Sequence, residues 1–138
     1  MNTIAFIIDI FGGAKGIYAS IEHPGYMRLV IEDIGNGPRG YLAVSVAHYF
    51  ELNGDLCQDP ELGLELVPQA GGSVSYEPFF FQMAHPPIYQ EVYPAGPASE
   101  NRKLKRELTA FLRIWNNNLA AQGFLEAAAA AQKCQGEG

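Results

Sequence analysis

The spacing of apolar residues changes twice along the chain, and each change predicts a different type of element. From Ile4 to Phe11 the apolar residues recur at helical spacing, and two glycines follow. We predict a short amphipathic helix over residues 3–12, with Thr3 as its N-cap and the glycines at its C-terminal end. Because isoleucine and phenylalanine also favour strands, a first β-strand is the alternative for this segment.

Between residues 17 and 93 the apolar positions recur with a period of two, which indicates β-strands. Breaks rich in Gly, Pro, Asn and Asp separate six such segments, and strands joined by short links of this kind pair as antiparallel neighbours. Pro78 lies within the fifth segment and indicates an edge strand or a bulge there. The predicted strands are Ile17–Glu22, Tyr26–Asp33, Tyr41–Glu51, Glu61–Val67, Val74–Met83 and Ile88–Tyr93.

The helical period returns after a connector of proline, alanine and glycine at residues 94–97. Ser99 is the predicted N-cap of a long helix, and Gly123 is predicted to end or kink it. The segment Phe124–Gln132 is dominated by alanine and predicts a further helical stretch. One side of the long helix carries an apolar stripe, which consists of Leu104, Leu108, Phe111, Leu112, Trp115 and Leu119.

These elements predict an α+β fold, built as one domain over residues 1–134 with a flexible tail at residues 135–138. A short N-terminal helix precedes an antiparallel meander of about five to six strands. The sheet has one apolar face to bury, and we expect the apolar stripe of the long C-terminal helix to pack on it. Apolar residues make up 48% of the sequence, which is enough for a core that needs no metal or disulfide.

Charge is unevenly distributed along the chain, whose net charge is −6. Residues 1–97 contain three basic and eleven acidic residues, whereas residues 98–138 contain six basic and four acidic ones. Proteins bind duplex nucleic acid through positive surfaces, so the acidic body argues against this kind of partner.

Two further features bear on location. The longest apolar run, Ile4–Ile8, is far shorter than the roughly 20 residues that span a bilayer, and Met1-Asn2-Thr3 lacks the basic segment of a signal peptide. We therefore expect neither membrane association nor a signal peptide. Cys57 and Cys134 are predicted to be free thiols in a reducing compartment, which favours the cytoplasm.

Several segments resemble a small bacterial family. The most specific is residues 48–61, with the pattern His-Tyr-aromatic-Glu-x-Asn-Gly-Asp-Leu-x-x-Asp-Pro-Glu, and further similarity lies at residues 26–35, 89–92 and 111–124. That family is a domain of unknown function met largely on plasmids, phages and integrative conjugative elements. The resemblance implies a cytoplasmic accessory protein of a mobile element, and it implies no reaction, cofactor or catalytic residue.

Polar side chains cluster on both sides of a predicted Asn-Gly turn. Carboxylates together with one imidazole suit Mg²⁺, Mn²⁺ or Zn²⁺, so the cluster is compatible with a metal-dependent hydrolase or nuclease. The alternative is that these residues build the turns between two strands, with aspartate side chains bonded to nearby amides. The candidate metal ligands are His48, Asp55, Asp59 and Glu61.

Three consecutive aromatic residues favour a binding surface. Successive side chains of a strand point to opposite faces, so at least one ring must lie on the far side of the sheet. A ring that is left uncovered there forms an apolar patch for a partner. Three arginines of the long helix lie opposite its apolar stripe and form a basic face. The predicted binding residues are Phe79, Phe80, Phe81, Arg102, Arg106 and Arg113.

The sequence therefore predicts a non-enzymatic accessory module that binds a protein partner or forms a homodimer, without a cofactor. The metal-dependent hydrolase or nuclease is the alternative function.

Overall fold

The computed structural model describes residues 2–136, and within them the chain forms three α-helices, one 3₁₀ turn and six β-strands. The helices are α1 (Thr3–Ile10), α2 (Arg102–Ala121) and α3 (Phe124–Gly136), and the 3₁₀ turn is Pro97–Ser99. The strands are β1 (Tyr18–Ile21), β2 (Arg28–Asn36), β3 (Leu42–Leu52), β4 (Asp55–Pro68), β5 (Val74–Met83) and β6 (Ile88–Glu91).

The six strands form one sheet in the order β1-β2-β3-β4-β5-β6, and every neighbouring pair is antiparallel. Strands pair only with their neighbours in the sequence, as short links between strands favour. The structure confirms the predicted antiparallel meander. It also confirms the α+β class, with a short helix before the sheet and a long helix after it.

The β3–β4 hairpin is longer than predicted. Leu52 pairs with Asp55, so β4 begins six residues before the predicted start at Glu61. The two residues between them have positive φ angles, 53° at Asn53 and 86° at Gly54. These angles match the two-residue turn that Asn-Gly favours, so the strands continue to the turn itself.

Helix α1 is capped by Asn2, and the predicted cap at Thr3 is wrong. The Asn2 side chain accepts a hydrogen bond from the backbone N–H of Ala5 at 3.2 Å. Thr3 is already helical, and its hydroxyl donates to the backbone oxygen of Asn116 in α2 at 2.6 Å. The Asn116 side chain in turn accepts from the backbone N–H of Ile4 at 2.8 Å. The first turn of α1 is therefore tied to α2.

Helix α2 is capped by Asn101 rather than by the predicted Ser99. The Asn101 side-chain oxygen accepts from the backbone N–H of Leu104 at 3.1 Å. The Ser99 hydroxyl instead donates to the Gly96 carbonyl at 2.6 Å and closes the 3₁₀ turn. Two polar residues that are both good caps stand near this helix start, and the local turn determines which of them is used.

All three helices pack on one face of the sheet. The apolar stripe of α2 lies in the core, where Trp115 is only 6% exposed, so the predicted covering helix is confirmed. Gly123 has a φ of 87° and separates α2 from α3, whose Phe124 enters the same core. Side chains from neighbouring strands stand side by side on the covered face, in a row formed by Ala19, Ile31, Val46, Leu62 and Phe81.

Helix α3 extends through Gly136 and so includes residues 135 and 136 of the predicted tail. Residues 137 and 138 lie outside the described residues. Cys57 is buried and Cys134 is exposed, and both are free thiols, as predicted. No helix in the described part of the chain is long and apolar enough to cross a membrane.

Candidate binding surface

The face of the sheet turned away from the helices, called here the open face, is organised in two cross-strand rows. Directly paired residues of antiparallel strands lie on the same face, so the strand register defines each row. The acidic row consists of Tyr18, Glu32, Ser45, Gly63, Phe80 and Glu91. The Glu61 row lies beside it and consists of Ser20, Val30, Ala47, Glu61, Gln82 and Tyr89.

Large aromatic side chains lie at the two ends of these rows, and small residues lie in the middle. Tyr18 on β1 is 60% exposed and Tyr89 on β6 is 58% exposed. Ser45, Ala47 and their neighbours on the central strands are buried under the surrounding side chains of the open face. Ser45 and Ala47 are not members of the hydrophobic core between the sheet and the helices. The open face therefore presents tyrosine rings and carboxylates to its surroundings.

A bulge in β5 sorts the three consecutive phenylalanines. Gly63 pairs with Phe80 and Leu64 pairs with Pro78, so Phe79 is the extra residue on β5. The predicted bulge near Pro78 is confirmed, and Pro78 also lies where β5 is locally an edge strand, because β6 pairs only with residues 80–83. With the bulge at Phe79, the Pro78 side chain is buried, and residues 80–83 of β5 pair in register with β6.

Phe80 lies on the open face, and the Phe79 ring meets the Phe80 ring edge-on at 5.2 Å between centroids. Phe79 and Phe81 pack against the core, and the Phe81 ring meets Phe111 of α2 edge-on at 5.7 Å between centroids. Phe80 lies in the acidic row, where its ring covers Gly63 and stacks with Tyr89 at 6.0 Å. A Cβ atom at Gly63 would overlap the Phe80 ring. A single glycine within a strand often indicates that another group approaches the backbone closely. Gly63 is such a glycine, and the group that approaches it is the Phe80 ring.

Glu61 is a buried carboxylate whose bonds come from neutral donors. The Ser45 hydroxyl donates to one of its oxygens and the Gln82 amide donates to the other. No basic side chain of the described residues forms an ion pair with it. Burial raises the pKa of the Tyr49 hydroxyl on the same face, and the charges of Glu61 and Glu32 raise it further. Arg28, which pairs with Tyr49 across the strands, has the opposite effect, so these two carboxylates and one arginine all act on this part of the open face.

One corner of the open face is neutralised by a network that joins loop, sheet and helix. Glu65 is fully buried and receives bonds from the Arg39 side chain at 2.9 Å and the Arg39 backbone N–H at 3.0 Å. Arg39 also binds Glu77 at 3.0 Å, and Lys105 of α2 binds the same Glu77 oxygen at 2.9 Å. Burial opposes the charged form of Glu77, but Lys105 and Arg39 outweigh it and lower its pKa. Gly37 is required here because a Cβ would overlap Glu65.

His48 lies on the covered face, inside the core. Its ring stands between Trp115 at 5.5 Å and Phe124 at 5.6 Å, and its Nδ1 donates to the Met27 carbonyl at 3.0 Å. Burial lowers the pKa of His48, against the opposing effects of the backbone bonds and of the Asp59 charge. The neutral ring is therefore a packing element that links β3 to β2 and to both C-terminal helices.

The four candidate metal ligands are not brought together. Glu61 pairs with Ala47, so these two residues share a face of the sheet. His48 follows Ala47 on β3 and therefore points to the opposite face. Asp55 is exposed beside the hairpin turn, and Asp59 lies in the irregular stretch where the register of β3 and β4 shifts. Between residues 2 and 136 no group of three or more His, Cys, Asp or Glu side chains is arranged to hold a metal ion.

The predicted basic residues form a ridge on α2, called here the arginine ridge. Arg102, Arg106 and Arg113 lie within an arc of about 40° on the helix and point away from the buried stripe. All three are exposed, and a shallow surface depression between them includes Thr109. Since α2 covers the other face of the sheet, the arginine ridge and the open face lie on opposite sides of the domain. The two parts of the predicted binding set therefore form two surfaces.

The fold and these surfaces define a class of protein, a two-layer α+β domain whose meander sheet is covered by helices on one side and left bare on the other. The chain belongs to the family described as Domain of unknown function (DUF6908), whose model matches residues 2–125. The match contains α1, the whole sheet and α2. This membership confirms the expectation of an uncharacterised domain. Neither among curated proteins nor among solved structures does any protein match the chain.

Proposed function

We propose that this chain is a non-enzymatic protein-binding module and that the open face is its contact surface. The observation that carries the proposal is the one-sided cover of the sheet. Three helices bury one face, whereas the other face carries the acidic row and the Glu61 row. A six-stranded sheet with tyrosine rings on its bare face offers the flat, partly apolar area that protein interfaces use.

The residue types of the open face suit a protein partner. Tyr18 and Tyr89 are exposed at its two ends, and Phe80 lies between them in the acidic row. Tyrosine and phenylalanine are enriched in interfaces because each buries a large area at a small cost in side-chain entropy. The glutamates between them add directional contacts for basic groups. The same negative charge opposes binding to duplex nucleic acid.

The arrangement of titratable groups supports binding rather than catalysis. His48 is enclosed in the core, and Glu61 is on the opposite face, so a shared reaction centre has no geometric support. The hydrolase or nuclease alternative rests on four residues that do not converge. The most strongly organised polar group, Arg39 with Glu65 and Glu77, is an ion-pair network at one corner of the sheet.

We also propose a setting for this function. The resemblance of residues 48–61 to proteins of plasmids, phages and integrative elements supports a role as an accessory protein of a mobile element. The two free thiols support a cytoplasmic location. In this setting the partner is a protein of the host or of the element.

Site-specific photocrosslinking tests the contact surface. A photoreactive amino acid replaces Tyr18 or Tyr89 on the open face, or Phe6 on α1 as the control. Phe6 is 50% exposed, comparable with the two tyrosines, but it lies in the helical layer. We expect a discrete adduct from the two open-face positions and none from Phe6. The crosslinked protein is identified by mass spectrometry and purified.

Reconstitution with the purified partner completes the test. The double change Tyr18→Ala and Tyr89→Ala is expected to raise the dissociation constant by roughly tenfold or more, as for loss of interface anchors. The change Phe6→Ala is the matched control and should leave the dissociation constant unaltered. Equal affinity of the wild-type and double-variant proteins would overturn the proposal, as would crosslinking from Phe6 alone.

A further inference from the structure

We infer that one partner of the open face is a second copy of this chain, whose arginine ridge lies along the acidic row. The inference rests on the proposed function, because it names a partner for the same surface. It follows from a match of length, charge and position between two surfaces of the same molecule.

The lengths of the two surfaces agree. The acidic row has a glutamate on β2 and another on β6, four strand spacings apart, which corresponds to about 19 Å. Eleven helical rises separate Arg102 from Arg113 along the arginine ridge, which corresponds to about 16 Å. A helix laid across the strands therefore places one end of the ridge near Glu32 and the other near Glu91.

The charges are complementary and largely unused within one copy. Glu32 and Glu91 form no ion pair within residues 2–136, and neither do Arg106 and Arg113. Within the described part of the chain, the one ion pair of Arg102 is with Glu100 at 3.7 Å, and 85% of the Arg102 side chain is exposed. Glu61 adds a buried negative charge beside the middle of the row. An approaching arginine ridge supplies cations that can pair with Glu32 and Glu91.

The positions of the two surfaces determine the form of the assembly. The arginine ridge and the open face lie on opposite sides of the domain, so a single neighbour cannot satisfy both. Each copy offers its ridge to one neighbour and its open face to another. Such a contact is heterologous, and it yields a head-to-tail chain or a closed ring rather than a two-fold dimer.

Sedimentation velocity tests the inference with the full chain at concentrations up to about 500 μM, well above the weak micromolar range. We expect the wild-type protein to associate at about 50 mM salt and to dissociate at about 500 mM, because salt screens the ion pairs. Two neutralised variants separate the surfaces. R106A/R113A removes charge from the ridge, and E32Q/E91Q removes it from the acidic row.

Each variant alone is expected to associate at least roughly tenfold more weakly than the wild type. An equimolar mixture has one intact ridge and one intact row, so it should form a heterodimer that does not grow further. The control variants K15A/K133A and D9N/E126Q make the same charge changes at exposed positions of loops and helices outside both surfaces. These controls should associate like the wild type.

Three results would overturn the inference. They are a wild-type protein that is monomeric under all these conditions, neutralised variants that associate like the controls, and a mixture that forms no heterodimer. Circular dichroism checks that both variants are folded, which is expected because all four residues lie on the surface. A monomeric wild type would not affect the crosslinking test above, since that test concerns any protein that contacts Tyr18 or Tyr89.

Discussion

Gly63 shows how one residue shapes the open face. It lies in the centre of the acidic row, and its missing side chain leaves the space that the Phe80 ring occupies. Phe80 can then stack with Tyr89 on the last strand. The ring is held over the strand next to its own, so the aromatic part of the surface has a fixed position rather than a mobile one.

We predict that Gly63→Ala displaces the Phe80 ring and destabilises the fold by about 1–3 kcal/mol, the usual range for an overpacked site. Urea unfolding measures the loss. The double variant Gly63→Ala/Phe80→Ala removes the overlap, so its free energy of unfolding should exceed the value expected from adding the two single effects. Additive effects would show that the ring does not occupy the space above Gly63.

His48 makes the stability of the domain depend on pH. Burial lowers its pKa below the ordinary value of 6.5, so below that pH the unfolded chain binds a proton that the folded chain does not. The free energy of unfolding is therefore fully maintained above about pH 6.5 and decreases as the pH falls toward the folded-state pKa. The carboxylates contribute separately, in a more acidic range.

The change His48→Asn keeps a donor near the Met27 carbonyl and removes the titration. We predict that it lowers stability most above about pH 6.5, where the wild type keeps the full contribution of neutral His48. The difference should narrow toward about pH 5.5, because the variant lacks this part of the wild-type decrease. Urea unfolding at several pH values measures this slope. The exposed His85 provides the control, and His85→Asn should keep the wild-type slope. An unchanged slope in His48→Asn would contradict the placement of His48 in the core.

The sequence could place residues within elements but could not determine what surrounds them. The period-two pattern predicted that His48 lies on a strand, yet the same pattern left its role open between metal ligand and packing residue. The answer depends on Trp115 and Phe124, which approach from more than sixty positions away. The face on which the Phe80 ring lies could not be predicted either, because it depends on the position of a single bulge in β5.

At the scale of elements, polar side chains connect parts that the apolar pattern does not. Asn116 is buried within α2 and holds the first turn of α1 through two hydrogen bonds. Arg39 on the β2–β3 loop joins β4 to β5, and Lys105 brings α2 to the same group. The apolar stripe was enough to predict that α2 covers the sheet. It contains no information about these connections, which depend on distant partners.

We predict that Arg39→Ala destabilises the domain by about 3–5 kcal/mol, because it leaves the fully buried Glu65 without its positive partner. Arg39→Lys should recover part of this loss, since an ammonium cannot span both Glu65 and Glu77 as the guanidinium does. Arg28→Ala is the control, an arginine without an ion pair among the described residues. Equal unfolding midpoints for Arg39→Ala and Arg28→Ala in urea would refute the structural role of the network.

We further predict that Asn116→Ala loosens α1 and costs about 1–3 kcal/mol, because the backbone N–H of Ile4 loses its buried acceptor. Hydrogen exchange of the α1 amides should accelerate more than exchange in β3 and β4. The neighbouring exposed Asn117 offers a matched control, and Asn117→Ala should leave α1 protected. Uniform acceleration throughout the domain would argue against a local tie between α1 and α2.

At the scale of the whole molecule, the two sides of the sheet differ in what they carry. The helices and the core occupy one side of the sheet, whereas acidic and aromatic side chains occupy the other. The acidic body of the sequence and its more basic C-terminal part become two surfaces on opposite sides of one domain. The sequence showed this separation of charge, but the strand register was needed to show that Glu32, Glu61 and Glu91 lie on the same face of the sheet.

Photocrosslinking from the open face is the decisive measurement, because it shows directly which side of the sheet a partner contacts. Probes at Tyr18 and Tyr89 should each give a discrete protein adduct in cells, and a probe at Phe6 in the helical layer should give none. Adducts from Phe6 with none from either tyrosine would contradict this expectation, because the binding surface would then lie on the covered side of the sheet.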